Sequence, residues 1–553
     1  MNRAENVGIM FPEILVPDVK TNLKKWAVIA CDQFTSNVEY WTKTEKIVGG
    51  APSTLHIIVP EAFIKSDDLD ERISHAKSTM AAYIEEGVLV RLPKGVILVE
   101  RDTGYRTRVG LVLAVDLEKY DSDGSKNPLI RATEQTVPER IPVRLRLREG
   151  AVLECPHTIL LMDDLKNTVI GPVYEARKNF ARVYDTPLMQ EGGNLRGWFI
   201  DDEEVLDGIV AALEKLKSKS KSGMIFAVGD GNHSISCAKA VWEKTKEGLT
   251  PEQIETHPLR YALVEIVNLY DNGISMEPIH RVLFGVEPPV ALRILVSILN
   301  EMGAEARMMY TRGTRMLPKE GQQVLFFESK MSKGRIEISK PPHKLLAVTL
   351  SHAFDRLMKE LPRAEMDYIH GEEEFHALTN GHSTLGFLME PIAKEDLFGL
   401  VSEYGVLPKK SFSIGMPEEK RYYYECRLLV EAKAQEEDDG QKESAQPDDE
   451  EPVSREPEKD EPRGGGPERD EAAENDSGDH ESFDIGEHAG TAEPDGGGYI
   501  AAAEPDAEED YINAAESPAE EPEDEDSGAR GKGKKEKRRF GLFGRKRDWH
   551  ESL

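Results

Sequence analysis

The chain has 553 residues and a formal net charge of −32 at pH 7, with 102 acidic against 70 basic side chains. The imbalance is local: residues 1–432 carry 54 Lys+Arg against 63 Asp+Glu, residues 433–530 carry 7 against 36, and residues 531–553 carry 9 against 3. With only 4 cysteines in this length, a disulfide scaffold is excluded, and the mild acidity of residues 1–432 speaks against a nucleic-acid reader there.

Three regions follow from this division. Residues 1–432 are expected to form the globular part, in one body or two lobes. Residues 433–530 are acidic and rich in Gly, Pro, Ala and Ser, and are expected to be disordered because they cannot bury enough apolar surface to offset chain entropy. Residues 531–553 mix Lys532, Lys534, Lys535, Lys537, Arg538 and Arg539 with Phe540, Phe543 and Trp549. That pattern suits an anionic membrane surface, a nucleic acid, or the acidic tail itself. Cys31, Cys155, Cys237 and Cys426 are far apart and include no Cys-x-x-Cys pair, which fits a reducing compartment. The start of the chain shows no basic-then-apolar leader, and no apolar run approaches the ~20 residues that span a bilayer. A cytoplasmic location is expected.

In chain order, Trp26 to Cys31 reads as a buried strand that runs into the polar stretch Asp32-Gln33-Phe34-Thr35-Ser36-Asn37. Leu55 to Val59 reads as a second strand and 68–86 as a helix. Val96 to Arg101 and Tyr105 to Asp116 alternate as a hairpin across Asp102-Thr103-Gly104, and Asp121 to Gly124 marks a loop. From Arg131 to Arg148 the chain is basic, with Arg131, Arg140, Arg144, Arg146 and Arg148: on a helix Arg140, Arg144 and Arg148 would share one face, on a strand Arg144, Arg146 and Arg148 would, and guanidinium suits forked contact with phosphate or carboxylate. A solvated face paired with acidic neighbours is the structural alternative. Thr158 to Met162 is a strand that ends in Asp163-Asp164, a pair suited to magnesium where phosphates are present. Residues 203–219 form an amphipathic helix and Leu259 to Asn268 a strand. His280-Arg281 precedes an apolar run. A hairpin over 322–340, a helix over 347–361 and an extended, tyrosine-rich Pro408 to Leu429 close the globular part. Strands and helices alternate without a strict repeat, so the fold class is α/β to α+β, a mixed sheet with flanking helices, followed by the acidic tail.

The chemistry gathers at Met224 to Ser234. Met224-Ile225-Phe226-Ala227-Val228 is a short buried strand, Gly229-Asp230-Gly231 a turn, and Ile235, Ala238, Val241 and Trp242 recur at helical spacing, with Asn232 placed as N-cap. Strand, glycine turn and helix start make an anion site, because free N–H groups and the positive end of the helix dipole share one space. Asp230 could hold magnesium or take a proton, His233 and Ser234 sit on the first helical turn, and Lys239 lies two turns on. A capped helix after a core strand is the alternative with no chemistry attached.

Several stretches together resemble one family, the bacterial and archaeal domain of unknown function 1015. They are Trp26 to Ser36 with Tyr40-Trp41, Ile130 to Thr136 with Arg140, Pro156-His157 with Asp163-Asp164, Gly229 to Lys239 with Trp242-Glu243, Ile279 to Leu283, and Pro408 to Ser411 with Gly415-Met416-Pro417. Many members carry Asp-Gly-His-His-Arg where this chain has Asp230-Gly231-Asn232-His233-Ser234. That box is similar to the phosphate-binding box of ParB-like nucleotide-binding domains, a group that includes free-serine kinases. The resemblance implies nucleotide phosphates near Gly229, Gly231, Asn232, Ser234 and Lys239, and phosphoryl transfer to a small hydroxyl substrate, with ATP or ADP and Mg2+ as cofactors.

The roles expected on this reading are Asp230, His233 and Glu134 in catalysis, and Arg131, Arg140 and Arg281 on the transferring group. Asp32, Gln33, Thr35, Ser36, Thr133 and His280 would be on the substrate, with Asp163 and Asp164 on the metal. Two other functions share the same parts: a non-catalytic ParB-like nucleotide-binding regulator, and a phosphatase acting on a phosphorylated metabolite.

Overall fold

The alternation of Val96 to Asp116 decides the centre of the fold. Val96 and Leu98 join one buried cluster with Leu111, Leu113 and Val115, whereas Ile97, Val99 and Val112 join another on the opposite face, as a period of two requires. The sheet built on this hairpin is therefore covered on both sides. The computed structural model describes residues 3–121, 128–136, 141–311 and 319–430. The acidic segment 433–530, the basic end 531–553, most of the 121–124 loop and Arg140 lie outside them.

Ten strands make this mixed sheet. From one edge the order is Ala181–Pro187, Asn194–Ile200, Val96–Asp102, Thr107–Asp116, Tyr261–Asn268, Ile159–Met162, Phe226–Asp230, Ile130–Arg131 and Tyr120–Asp121, with Ile9–Met10 paired on Thr107–Asp116. Among the first five, each strand is antiparallel to the next. Ile159–Met162 runs parallel to Tyr261–Asn268 and antiparallel to Phe226–Asp230. Helices Glu203–Lys219 and Asn232–Lys246 cover one face through Ile209, Leu213, Ile235 and Trp242. The other face takes helix Leu69–Glu85 and the buried run Tyr422 to Tyr424.

A second, antiparallel sheet of six strands follows in sequence: Ala306–Tyr310, Ser332–Ile338, Gln323–Ser329, Thr384–Leu388, Ile279–Phe284 and Glu365–His370 in spatial order. Helices Pro288–Glu301 and Leu346–Glu360 pack on it through Leu292, Leu295, Leu350 and Phe354. The mixed-sheet reading holds, as do the hairpins over 96–116 and 322–340 and the helices over 68–86, 203–219 and 347–361.

Two expected strands differ. Leu55 to Val59 begins as the 3-10 turn Thr54–Ile57, because the Ser53 and Thr54 hydroxyls both donate to the Trp26 carbonyl at 3.0 and 2.9 Å and hold the chain in a turn. Trp26 closes the helix Leu23–Trp26. Ala27 to Ala30 is buried and extended but joins its neighbour only at the single bridge Ile29–Tyr422, and Cys31 already opens a turn.

Candidate functional site

The turn after Phe226–Asp230 sets the geometry. Gly231 has a φ of 79°, and a Cβ there would lie 2.7 Å from Thr158 Oγ1 and 2.9 Å from Thr158 Cα. Glycine is required by both backbone and space. Gly231, rather than Asn232, is the N-cap of helix Asn232–Lys246. Asn232 instead opens the helix: its Nδ2 points at Thr133 Oγ1, 3.4 Å away, and its Oδ1 is buried with no donor among the described residues. Ser234 and Ile235 make the first intrahelical bonds, to the Gly231 carbonyl at 3.0 and 3.1 Å. The N–H groups ahead of them have no intrahelical acceptor. Asp230 Oδ1 accepts the Gly231 N–H at 2.9 Å, so that amide is not available to a ligand, and Lys420 Nζ lies 3.4 Å from Asp230 Oδ2.

A cleft of about 620 Å3 opens above this turn. Gly229 to His233 form one wall, joined by Asp32, Gln33, Thr35, Ser36, Thr133 and Glu134. Lys409, Lys410 and Lys420 and, from the second sheet, Asp367, Tyr368 and His370 complete the lining. Eleven expected residues thus meet at one place.

Glu134 lines the cleft, but its carboxylate accepts three amides of the lysine-bearing loop: Lys410 at 3.2, Ser411 at 2.8 and Phe412 at 3.2 Å. Burial raises its pKa against those donors.

Other expected residues are elsewhere. Asp163 and Asp164 follow a strand that runs antiparallel to Phe226–Asp230, with Met162 opposite Phe226 and Ile159 opposite Asp230. They therefore emerge at the far end of the sheet from the turn. Asp163 accepts the Tyr270 hydroxyl at 2.8 Å, and Asp164 accepts the Val169 N–H at 2.9 Å and the Thr168 hydroxyl at 3.1 Å. Arg131 stands beside Ala227 in a parallel register and donates to the Ser222 carbonyl at 2.9 Å. Arg281 donates to the carbonyls of Ile279 and Lys410, at 2.5 and 2.8 Å, and stacks 4.4 Å from the Tyr368 ring centre; burial lowers its pKa to about 10. His280 accepts the Met389 N–H at 3.1 Å. Lys239 pairs with Glu243 at 2.5 Å, too far along the helix to reach its start.

Ser234 points behind the turn into a buried ionic network. Its hydroxyl meets Arg144 Nη1 at 2.5 Å and His157 Nε2 at 3.2 Å. Arg144 pairs with Glu61 at 2.8 Å, and Asp32 Oδ2 is 3.5 Å from both Arg144 and His157. His157 Nδ1 meets the Tyr423 hydroxyl at 2.8 Å. Burial would raise the Asp32 pKa, yet His157 and Arg144 hold it well below the usual carboxylate range. The network fixes Asp32 at the cleft floor in its charged form.

Sequence reasoning missed Lys409, Lys410, Lys420, His370 and His157 as site residues. Lys409, Lys410 and His157 stand in short runs already noted for their resemblance, which was a usable signal; Lys420 and His370 carry none. His370 Nδ1 is buried without a hydrogen-bond partner among the described residues. Burial, with Lys410 and Lys420 nearby, lowers its pKa to about 4, so it is neutral at physiological pH.

No group of three or more His, Cys, Asp or Glu side chains among the described residues is arranged to hold a metal. Asp230 Oδ2 receives no hydrogen bond there but is buried beside Lys420 Nζ, so magnesium bound through this one carboxylate and substrate phosphates requires Lys420 to move off it. No helix among the described residues is long and apolar enough to cross a membrane.

No curated protein matches this chain. Among solved structures, a free serine kinase in complex with AMP overlaps 57% of this chain and 92% of its own at 12% identity and a TM-score of 0.33. A conserved hypothetical protein from Pyrococcus furiosus overlaps 57% and 94% at 11% identity and 0.32. SbnI from Staphylococcus aureus, truncated at its C-terminus, overlaps 55% and 82% at 10% identity and 0.30. At these scores the overlaps assign no ligand or reaction to this chain. The sequence match is broader in kind: residues 16–361 fit one family throughout, and the chain belongs to that family, described as protein of unknown function (DUF1015).

Proposed function

We propose that the Gly231 cleft binds nucleotide phosphates together with magnesium and that the protein transfers a phosphoryl group to a small hydroxyl-bearing substrate. One observation carries this reading: a glycine turn opens a helix start onto a cleft also lined by Lys409, Lys410 and Lys420, the last beside Asp230. Phosphoryl transfer needs positioning and charge neutralisation more than covalent chemistry, and these parts supply both. The helix start and the lysines would hold the phosphates. Asp230 would hold magnesium, which when bound neutralises phosphate charge. His233 would accept the proton of the attacking hydroxyl. Asp32, Gln33, Thr35 and Ser36, on the same wall, would orient the acceptor.

The lysines take the role expected of Arg131 and Arg281, whose guanidinium groups are bonded to carbonyl oxygens. Asp230 takes the metal role expected of Asp163 and Asp164.

Calorimetric titration of the full chain with ATP and with ADP, each with and without magnesium, tests the binding step. Saturable heat is expected, and its absence in every combination refutes the reading. Incubation with ATP plus serine or another small alcohol, against phosphoserine alone, then separates transfer from phosphatase action by which compound is consumed. Binding without turnover in either mixture would identify a regulator instead.

A further inference from the structure

The four cysteines are dispersed in sequence, but the fold gathers them. Cys31, Cys155 and Cys237 line one cavity of about 130 Å3, distinct from the cleft. Cys426 lies beside Cys155. Arg427–Leu428 pairs antiparallel with Leu153–Glu154, Arg427 opposite Glu154 and Leu428 opposite Leu153. One more step in that register sets Cys426 opposite Cys155. The N–H and carbonyl of Cys426 bond to Leu15 on its other side, at 2.9 and 2.8 Å, while Leu429 N–H bonds to the Val152 carbonyl at 2.9 Å. By the alternation of an antiparallel ladder, that next step is a non-hydrogen-bonded one, for which Cα atoms typically lie about 4.5 Å apart. That lies inside the disulfide range of about 4.4–6.8 Å. The Cys426 thiol acts directly on the Cys155 thiol, and both are free.

We propose that Cys155 and Cys426 form a redox-active dithiol, a modification site at which a hydroperoxide converts two facing thiols into a cross-strand disulfide. Cys155, partly exposed and facing the cavity, reacts first. Its thiolate sulfur attacks one peroxide oxygen, the O–O bond breaks, and an alcohol (water, from hydrogen peroxide) leaves, with sulfenic acid on Cys155. The Cys426 sulfur then attacks that sulfenic sulfur, loses its proton and displaces the hydroxyl as water. Two thiols and one hydroperoxide become one disulfide, one alcohol and one water. Burial and the Cys426 thiol hold the Cys155 pKa well above the ordinary range. Oxidation is accordingly slow at neutral pH and quickens as pH rises. The bridge would anchor the segment that carries Lys420 into the cleft and Tyr423 onto His157.

The full chain is incubated with hydrogen peroxide, freed of it, unfolded and alkylated, and its peptides are mapped without reduction. Alkylatable thiols are expected to fall from four to two, with a peptide pair joined through Cys155 and Cys426 that dithiothreitol separates. In Cys426→Ser the joined peptide is absent and dimedone labels Cys155. Retention of all four thiols, linkage of Cys155 to Cys31 or Cys237, or Cys155 oxidised with no cross-link in the unsubstituted chain overturns the proposal. The mapping on the unsubstituted chain is decisive whether or not the variant folds.

Discussion

Gly231→Ala tests the fold and the site together. The methyl group would sit on a residue with φ of 79°, 2.7 Å from Thr158 Oγ1 and 2.9 Å from Thr158 Cα. The left-handed backbone costs about 1–2 kcal/mol for a residue with a Cβ. The approach to Thr158 Cα is to backbone, which no rotamer change relieves, so overpacking adds about 1–3 kcal/mol. The sum is about 2–5 kcal/mol. Unfolding entropy of about 2.1 cal/mol/K per residue amounts to on the order of 0.9 kcal/mol/K for the unit Met1–Gln441. The expected loss in Tm is therefore about 2–5 °C, read by scanning calorimetry or intrinsic fluorescence. Gly208→Ala is the control, since Gly208 sits in helix Glu203–Lys219 with nothing within 4 Å of an added Cβ. It should be neutral or gain up to about 1 kcal/mol. The same Gly231 variant should lose nucleotide binding at temperatures where it remains folded, because the helix start is displaced from the cleft. A Gly231→Ala protein that melts with the unsubstituted chain refutes the geometric argument; one that melts early but binds ATP unchanged refutes the assignment of the turn to the ligand.

Further outcomes are expected. Arg421 donates to the buried carboxylates of Glu265 and Glu425, so Arg421→Met should cost about 3–5 kcal/mol by leaving Glu425 without its cation and Glu265 with Arg108 alone. Against the burial that would raise it, Arg421 and Arg108 lower the Glu265 pKa. The stability it confers is thus complete above the ordinary glutamate range and is lost as pH falls through the lowered value; Tm of Glu265→Gln between pH 7 and 3 should show a shallower acid loss than the unsubstituted chain. Glu134→Ala should free the loop whose amides it binds and speed tryptic cleavage after Lys409 and Lys410, while unchanged digestion would contradict the clasp. The depressed pKa of His370 (about 4) means that an unfolded chain takes up its proton first: stability is complete above about 6.5 and falls toward pH 4, a loss that His370→Asn should lack. Phosphate bound between Lys410 and Lys420 should move the His370 imidazole titration upward, as followed by NMR.

The contrast between Asp230 and Asp163 shows how far local pattern reaches. Each follows a short apolar strand, and each looked able to hold a metal. The Met224 to Ser234 reading gave the order strand, turn and helix because these are successive and short-ranged, although the strand runs on through Gly229 and Asp230 and the cap is Gly231 rather than Asn232. Gly231 had to be glycine for reasons its neighbours largely reveal. Whether Asp163 would stand beside it depended on strand direction, and an antiparallel register sent it to the opposite end of the sheet. The arginines failed for a related reason: a guanidinium suits phosphate and backbone carbonyl equally, and burial beside Ser222 or Lys410 selected the carbonyl.

Composition, alternation and turn chemistry by themselves determined the mixed sheet, the paired strands around Asp102 to Thr107, the long helices and the glycine turn, since each depends on residues a few positions apart. Tertiary structure decided which of the candidate charges face one another. It brought Lys409, Lys410, Lys420 and His370 to the same cleft as Asp230, placed His157 behind Asp32, and set Cys155 against Cys426 across 271 positions of sequence. Such contacts are governed by strand order and register, which arise from burying both faces of a sheet at once, and no short stretch of the chain encodes that balance.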